Sequence, residues 1–285
     1  MRLGARTFGP SARLVMAIVN RTPDSFYDKG STWQHDVALE RVRQAVSEGA
    51  DIVDIGGVKA APGEEVDSAE EIRRTVDFVA QVRDEHPRLL ISVDTWRADV
   101  GREVCRVGAD VLNDAWGGHD PGLAEVAAEF DAALVCTHVG GLAPRTRPHR
   151  VAYDDVVAAA IEHTVGLAER AVSVGVARDR VIIDPAHDFG KNTWQSLEVT
   201  RRIGEMTATG WPVLVSLSRK DFVGETLGLP VDERLYGTLA ATAVCAWQGA
   251  QVYRAHDVAA TRQVLDMVSS IAGDRPPART VRGLA

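Results

Sequence analysis

Gly49-Ala50-Asp51-Ile52-Val53-Asp54 reads as a helix stop followed by a short β-branched run, and the chain repeats the pattern. Gly108-Ala109-Asp110-Val111-Leu112-Asn113 lies 59 residues on, and Gly249-Ala250-Gln251-Val252-Tyr253-Arg254 a further 141. In each, glycine supplies the helix stop, and the apolar run reads as a strand buried on both faces. Taken as two and four βα steps, those spacings leave about 30 to 35 residues per step, the length of a βαβ unit. Similar runs fill the gaps at Leu14–Val19, Leu89–Val93, Ala133–Thr137, Val181–Asp184 and Val213–Ser216.

Helical stretches alternate with these runs: Val37–Glu48, Ser68–Glu85, Asp99–Val107, Tyr153–Val174, Thr193–Met206, Glu233–Gln248 and Val258–Ile271. Ser68, with Glu71 three residues later, has the spacing of a capping box. The alternation predicts an α/β fold, a single-domain (β/α)8 TIM barrel over residues 1–272, with a doubly wound open sheet as the alternative. Residues 273–285, which contain Pro and Arg, are expected to form a disordered tail.

Composition limits the function classes. The chain has 285 residues, 45% of them hydrophobic, and a formal net charge of −8. That suits a soluble globule with a full core and argues against a non-specific nucleic-acid binder, which needs a basic face. Leu14–Val19 is too short for a membrane span or a signal-peptide core. Cys105, Cys136 and Cys245 lack metal-ligand spacing and read as reduced thiols of a cytoplasmic protein.

A barrel places its active residues at the C-terminal ends of the strands. Reading those ends gives Asn20, Asp54-Ile55-Gly56-Gly57, Asp94-Thr95, Asn113-Asp114, Thr137-His138, Asp184-Pro185, Ser216 with Ser218-Arg219-Lys220, and Arg254 with His256-Asp257. One polar residue at a strand end is ordinary turn chemistry. A polar set at every end points to a site. Asp94, Asn113 and Asp184 suit a flat nitrogen heterocycle, and Lys220 can donate to a carbonyl oxygen. Arg254 and His256 make a cationic pair suited to a diphosphate, and Asn20 beside them can hold a hydrated Mg²⁺. Asp114, His138 and Asp257 fit structural roles equally well, and no zinc cluster, P-loop or Gly-x-Gly-x-x-Gly appears.

The chain resembles the dihydropteroate synthase family from about Val15 to Ile271. The matching stretches are Asn20-Arg21-Thr22-Pro23-Asp24-Ser25-Phe26, Asp54-Ile55-Gly56-Gly57, Ser92-Val93-Asp94-Thr95, Asn113-Asp114, Asp184-Pro185, Phe189-Gly190-Lys191-Asn192, Ser218-Arg219-Lys220 and Arg254-Ala255-His256-Asp257. The resemblance implies a transferase of folate biosynthesis that joins p-aminobenzoate to hydroxymethyl-dihydropterin diphosphate with Mg²⁺ assistance. By that likeness Asp94, Asn113, Asp184 and Lys220 hold the pterin, and Asn20, Arg254 and His256 hold the diphosphate and metal. Phe189 and Ser218 position aminobenzoate, Asn20, Asp24 and Lys220 serve catalysis, and the Thr22–Thr32 loop closes over the reacting centre.

Departures from the family pattern cluster around that mouth. After Gly56-Gly57 the family carries Glu-Ser-Thr-Arg-Pro-Gly; this chain has Val58-Lys59-Ala60-Ala61-Pro62-Gly63, so the Thr and Arg are Ala60 and Ala61. Losing a charge-assisted bidentate contact costs about 2 to 5 kcal/mol. Ala186-His187-Asp188 replaces a Gly-x-Gly pattern, Ser216 stands where glycine is common, and Trp116 follows Asn113-Asp114 closely. The expectation is an inactive paralogue that binds the diphosphate substrate weakly while retaining a pocket for pterin- or aminobenzoate-like ligands. A competent synthase in which Lys59 replaces the arginine is one alternative, and a non-catalytic pterin- or partner-binding protein is another. Leu239–Trp247 is apolar nearly all round, more than an outer helix needs, which predicts a homodimer.

Overall fold

All eight expected strands are present in the computed structural model, which describes residues 1–22, 34–60, 62–146 and 151–282. A two-residue hairpin, β1 (Arg2–Leu3) and β2 (Arg6–Thr7), precedes the barrel. The barrel strands are β3 (Leu14–Asn20), β4 (Ile52–Gly56), β5 (Leu90–Asp94), β6 (Val111–Asp114), β7 (Ala133–Thr137), β8 (Val181–Asp184), β9 (Leu214–Ser216) and β10 (Val252–Ala255). They pair in parallel around the ring, with β10 joined to β3. The remaining seam is a parallel bridge between Ile183 and Val213, where the Ile183 N–H donates to the Pro212 carbonyl at 2.9 Å. The sheet is therefore a closed barrel rather than the open alternative.

The repeated glycines end their helices as expected. Gly49, Gly108 and Gly249 have φ of +94°, +110° and +96°, backbone that side chains with a Cβ rarely adopt. Helices α1 (His35–Ser47), α2 (Ser68–Glu85), α3 (Ala98–Arg106), α4 (Gly122–Glu129) and α5 (Val156–Ser173) follow the first five barrel strands. Next come α6 (Thr193–Arg201), α7 (Ile203–Thr207), α8 (Asp221–Leu227), α9 (Leu235–Trp247) and α10 (Val258–Ala272). Three details correct the sequence reading. The α2 cap is Asp67, whose side chain accepts the Glu70 N–H at 2.8 Å, so Ser68 is already inside the helix. The capping box lies instead at Asn192 and Gln195. The stretch Thr193–Met206 breaks at Arg202 into α6 and α7.

Strand periodicity sorts the side chains by face. On β3, Leu14 and Met16 join Leu3 from the hairpin, Ile52, Leu90, Val111, Ile182, Leu214 and Val252 in an apolar cluster inside the barrel. Val15, Ala17 and Val19 point the other way, into the layer shared with the helices. Continuing the inward register toward the strand ends replaces apolar residues by Asn20, Asp54, Asp94, Asn113, Asp184 and Arg254. The hydrophobic plug closes one end, and the polar set opens at the other.

Candidate active site

Asp54 organises the floor of this mouth. It is 0% exposed and accepts from the Ser92 hydroxyl at 2.6 Å, from the Asn113 carboxamide at 3.2 Å and from Arg254 Nε at 2.6 Å. Arg254 Nη2 donates onward to Asp94 at 3.1 Å. One guanidinium thus joins β4, β5 and β10, and a buried charge is tolerated because it is fully paired. Burial pushes the Asp94 carboxyl up to about 7, opposed by Arg254 and reinforced by Asp54. Burial also raises Asp184, whose Oδ1 accepts the Ala186 N–H at 2.7 Å. The floor therefore presents carboxyl and carboxamide edges to a planar ligand.

Above it lies a cavity of about 470 Å³. One wall is aromatic: Trp116 packs edge-on against Phe189 at 5.4 Å and against Trp96 at 6.4 Å between ring centroids. Lys220 Nζ lies 4.7 Å over the Phe189 ring and donates to the His187 carbonyl. Burial lowers its pKa, opposed by Asp188 and Asp184. Ser218 Oγ is 3.0 Å from His256 Nδ1. Burial, with Arg254 adding to it, pulls His256 down to about 3. The imidazole is neutral at pH 7, so the expected cationic pair is a single cation, Arg254. Arg219 is also engaged: its guanidinium grips Asp257 through two bonds of 2.9 Å and donates to the Val231 and Asp232 carbonyls.

The loop after β8 carries the least expected geometry. Ala186 and Asp188 have φ of +49° and +67°, so both positions of the lost Gly-x-Gly pattern keep left-handed backbone. Asp188 is locked at both oxygens: Oδ1 accepts from the Ser196 hydroxyl at 3.0 Å and Oδ2 from the Phe222 N–H at 3.1 Å. Lys191 braces the loop with its ammonium on the carbonyls of His138, Ala186 and Phe189 at 3.0, 3.3 and 3.1 Å. Burial brings it down to about 7. His187 is fully buried and stacked on Phe222 at 5.6 Å, and among the described residues neither ring nitrogen has a hydrogen-bond partner.

Val58, Lys59, Ala60 and Pro62 of the second loop line the cavity. Neighbouring elements bolt this loop down: Arg74 donates to the Gly57 carbonyl at 3.0 Å, and Arg97 to that of Val66 at 2.6 Å while pairing with buried Glu71. Among the described residues, the carboxylates lining or directly backing the cavity are Asp54, Asp94, Asp184, Asp188, Asp221 and Asp257. Those that line it, Asp94, Asp184, Asp188 and Asp221, equal in number the lining cations Lys59, Arg219, Lys220 and Arg254.

The barrel brings Asn20, Asp94, Asn113, Asp184, Phe189, Ser218, Lys220, Arg254, His256 and Ala60 to this one cavity. Asp24 and Ala61 lie outside the described residues, as does the first loop from 23 to 33. Asp114 faces away and caps the next loop, accepting the Trp116 and Gly118 N–H groups at 2.9 and 2.6 Å. Asp54 escaped selection as a site residue although it lies on the inward register two positions before Gly56. Trp96 gave no signal in the sequence, because an aromatic wall assembles from separate loops. For Mg²⁺, no cluster of three or more His, Cys, Asp or Glu occurs among the described residues. Asn20 offers one carboxamide oxygen, enough for a hydrated ion carried in by an anionic ligand but not for a resident one.

Residues 16–256 match the family model described as pterin binding enzyme. The chain is 59% identical to the inactive dihydropteroate synthase 2 of Mycobacterium tuberculosis over 276 residues, covering 95% of this chain and 87% of that one. It is 36% identical to the dihydropteroate synthase of Bacillus subtilis over 260 residues, covering 90% and 88%. The crystal structure of Yersinia pestis dihydropteroate synthase in a sulfonamide drug complex superposes with a TM-score of 0.90 at 32% identity, covering 96% of this chain and 99% of that one.

Proposed function

The chain belongs to the pterin-binding enzyme family, and from that premise we propose that it is a dihydropteroate synthase-like paralogue that has lost the synthase reaction. The observation that carries this is the second loop, which lines the cavity with Ala60 where a synthase of the resembling pattern supplies Thr, and whose sequence has Ala61 where that pattern supplies Arg. Lys59 is a point charge on a flexible stem and does not reproduce a bidentate guanidinium. The remaining cations are committed to carboxylates and carbonyls of the protein itself. A diphosphate entering here finds no surplus of positive charge.

Our reading keeps a pterin-like heterocycle on the floor, edged by Asp94, Asn113 and Asp184 with Lys220 beside it. The diphosphate position, at Asn20, Arg254 and His256, is weak. Magnesium enters this reading only as an ion bound to a diphosphate, with Asn20 as a ligand. The dissociation that a synthase needs depends on a stabilised leaving group. Relatives at 59% identity that are named inactive support the loss.

The test is titration of hydroxymethyl-dihydropterin diphosphate with Mg²⁺, beside a condensation assay with p-aminobenzoate. The native chain is expected to bind weakly and turn over little or not at all. Ala60→Thr with Ala61→Arg is expected to tighten diphosphate binding by about 30-fold or more. Robust synthase turnover by the native chain overturns the proposal.

A homodimer and a cytoplasmic setting complete the reading. Tyr236 and Trp247 on α9 are 83% and 63% exposed, and Met267 and Ile271 on adjacent α10 are 61% and 60% exposed. Burying that face against a second copy removes the apolar surface from water. Light scattering at the monomer mass would count against it. No helix among the described residues is long and apolar enough to cross a membrane, and the three cysteines are free and buried.

A further inference from the structure

We propose that the outer half of the mouth takes a neutral or cationic aromatic amine rather than an aromatic carboxylate, and that Asp188 is the residue that sets this preference. The inference rests on the reading of this cavity as a ligand site and names the chemical class its rim admits.

The aromatic wall fixes the shape of the ligand. Phe189 and Trp116 offer ring edges and faces beside Ser218 and Lys220, a lining suited to a flat six-membered ring. Charge fixes the substituent. An aromatic acid lying on Phe189 would bring its carboxylate beside Asp188, which lines the same cavity and already holds a backbone donor of the rim. The Phe222 N–H at the start of α8 donates to Asp188 Oδ2 at 3.1 Å. Lys220 has Asp188 as its leading charge partner and spends a proton on the His187 carbonyl. Asp221 stands at the same helix start and is exposed toward solvent, paired with Arg234 at 2.8 Å.

Asp188 cannot swing aside to make room. Both carboxylate oxygens are tied, Oδ1 to Ser196 and Oδ2 to Phe222, and the backbone beneath is left-handed at +67°. An incoming carboxylate would therefore sit close to a fixed like charge in a partly desolvated cavity, where repulsion is little screened. An amide or amidinium meets the opposite situation. A carboxylate accepts up to about four hydrogen bonds, so Asp188 retains lone pairs for N–H donors of a ligand. One residue thus repels the acid and attracts the amine, the combination that produces selectivity.

The experiment compares ligands that differ in one group: 4-aminobenzoate, 4-aminobenzamide and 4-aminobenzamidine, titrated calorimetrically against the full chain near pH 7.5. The amide and amidine are expected to bind at least about tenfold tighter than the acid, the scale of one close, partly screened charge. Asp188→Asn, which keeps an acceptor and removes the charge, is expected to bring the three affinities to within about threefold. Asp188→Gly, which suits the left-handed backbone, carries the same comparison if the first variant unfolds. Equal or tighter binding of the acid by the native chain overturns the inference, as does failure of all three to bind or an unchanged ratio in a folded variant. A parallel titration with a pterin lacking the diphosphate separates the two readings. Loss of pterin binding with the amine preference intact overturns only the pterin assignment, and the reverse result overturns only the role of Asp188.

Discussion

On the floor of the mouth, Asp54 binds Ser92, Asn113 and Arg254 at 2.6 to 3.2 Å, and Arg254 also holds Asp94. At the rim, the loop after β8 places Ala186 and Asp188 at positive φ and buries His187, whose two ring nitrogens have no hydrogen-bond partner among the described residues. The floor residues sit on paired strands, whose register fixes each side chain to within a single inward position. The rim residues sit on loops, which accept substitutions without disturbing the barrel. The departures from the resembling pattern at Ala60, Ala61 and Ala186-His187-Asp188 fall on such loops, and Ser216 at the end of β9 is the exception. On the proposed reading, a heterocycle platform lies beneath a rebuilt entrance.

The sharpest way to break this contrast is to damage the floor. Asp54→Asn is nearly isosteric yet leaves Arg254 buried beside a single remaining carboxylate, Asp94. Removing one partner of a buried pair costs about 3 to 5 kcal/mol. The expected outcome is that loss in unfolding free energy by denaturant titration, together with loss of pterin binding. A change near zero would show that the floor is as replaceable as the rim.

A smaller effect tests the rim. His187→Phe removes two unsatisfied ring nitrogens and keeps a ring against Phe222, so it is expected to stabilise the chain by about 1 to 3 kcal/mol at pH 7. Its effect also depends on pH. Burial holds His187 well below its ordinary value, with Lys220 and Lys191 adding to the shift. As pH falls below about 6.5 the unfolded chain takes up a proton that the folded chain refuses. Stability from this group is present above 6.5 and is lost below it, by about 1.4 kcal/mol per pH unit. The variant is expected to lose that share of the acid slope between pH 6.5 and 5. Identical slopes would mean that His187 finds a partner in solution.

What could be read from the sequence follows the same division. The strands were legible because apolar runs after a glycine stop have little freedom of interpretation, and Ala133–Thr137 and Val181–Asp184 coincide with β7 and β8. Eight site positions, Asn20, Asp94, Asn113, Asp184, Ser218, Lys220, Arg254 and His256, were legible because strand ends in a closed barrel converge, and they do so in one cavity, whereas Asp24 and Phe189 came only from the family resemblance. The short α4 and α8 were not, since eight and seven residues give too few turns for a periodic signal. The locking of Asp188 was not legible either. It depends on Ser196 and Phe222, contributed by two other helices, and no local pattern announces such a contact.

The smallest expected effect isolates the backbone. Ala186 is 4% exposed, lines the cavity and has φ of +49°, where an L-residue other than glycine costs roughly 1 to 2 kcal/mol. Ala186→Gly removes a methyl group and relieves that strain. Greater freedom of glycine in the unfolded chain offsets part of the gain, leaving an expected stabilisation of about 1 kcal/mol by thermal or denaturant unfolding. Asp188 shares the strain but not the remedy, because glycine there would forfeit the bonds to Ser196 and Phe222. Measured side by side, the two glycine variants separate conformational strain from side-chain locking. Stabilisation at 186 with destabilisation at 188 would mark Asp188 as held in place by its contacts. Stabilisation at both would make the whole loop a strained relic of a glycine-rich one.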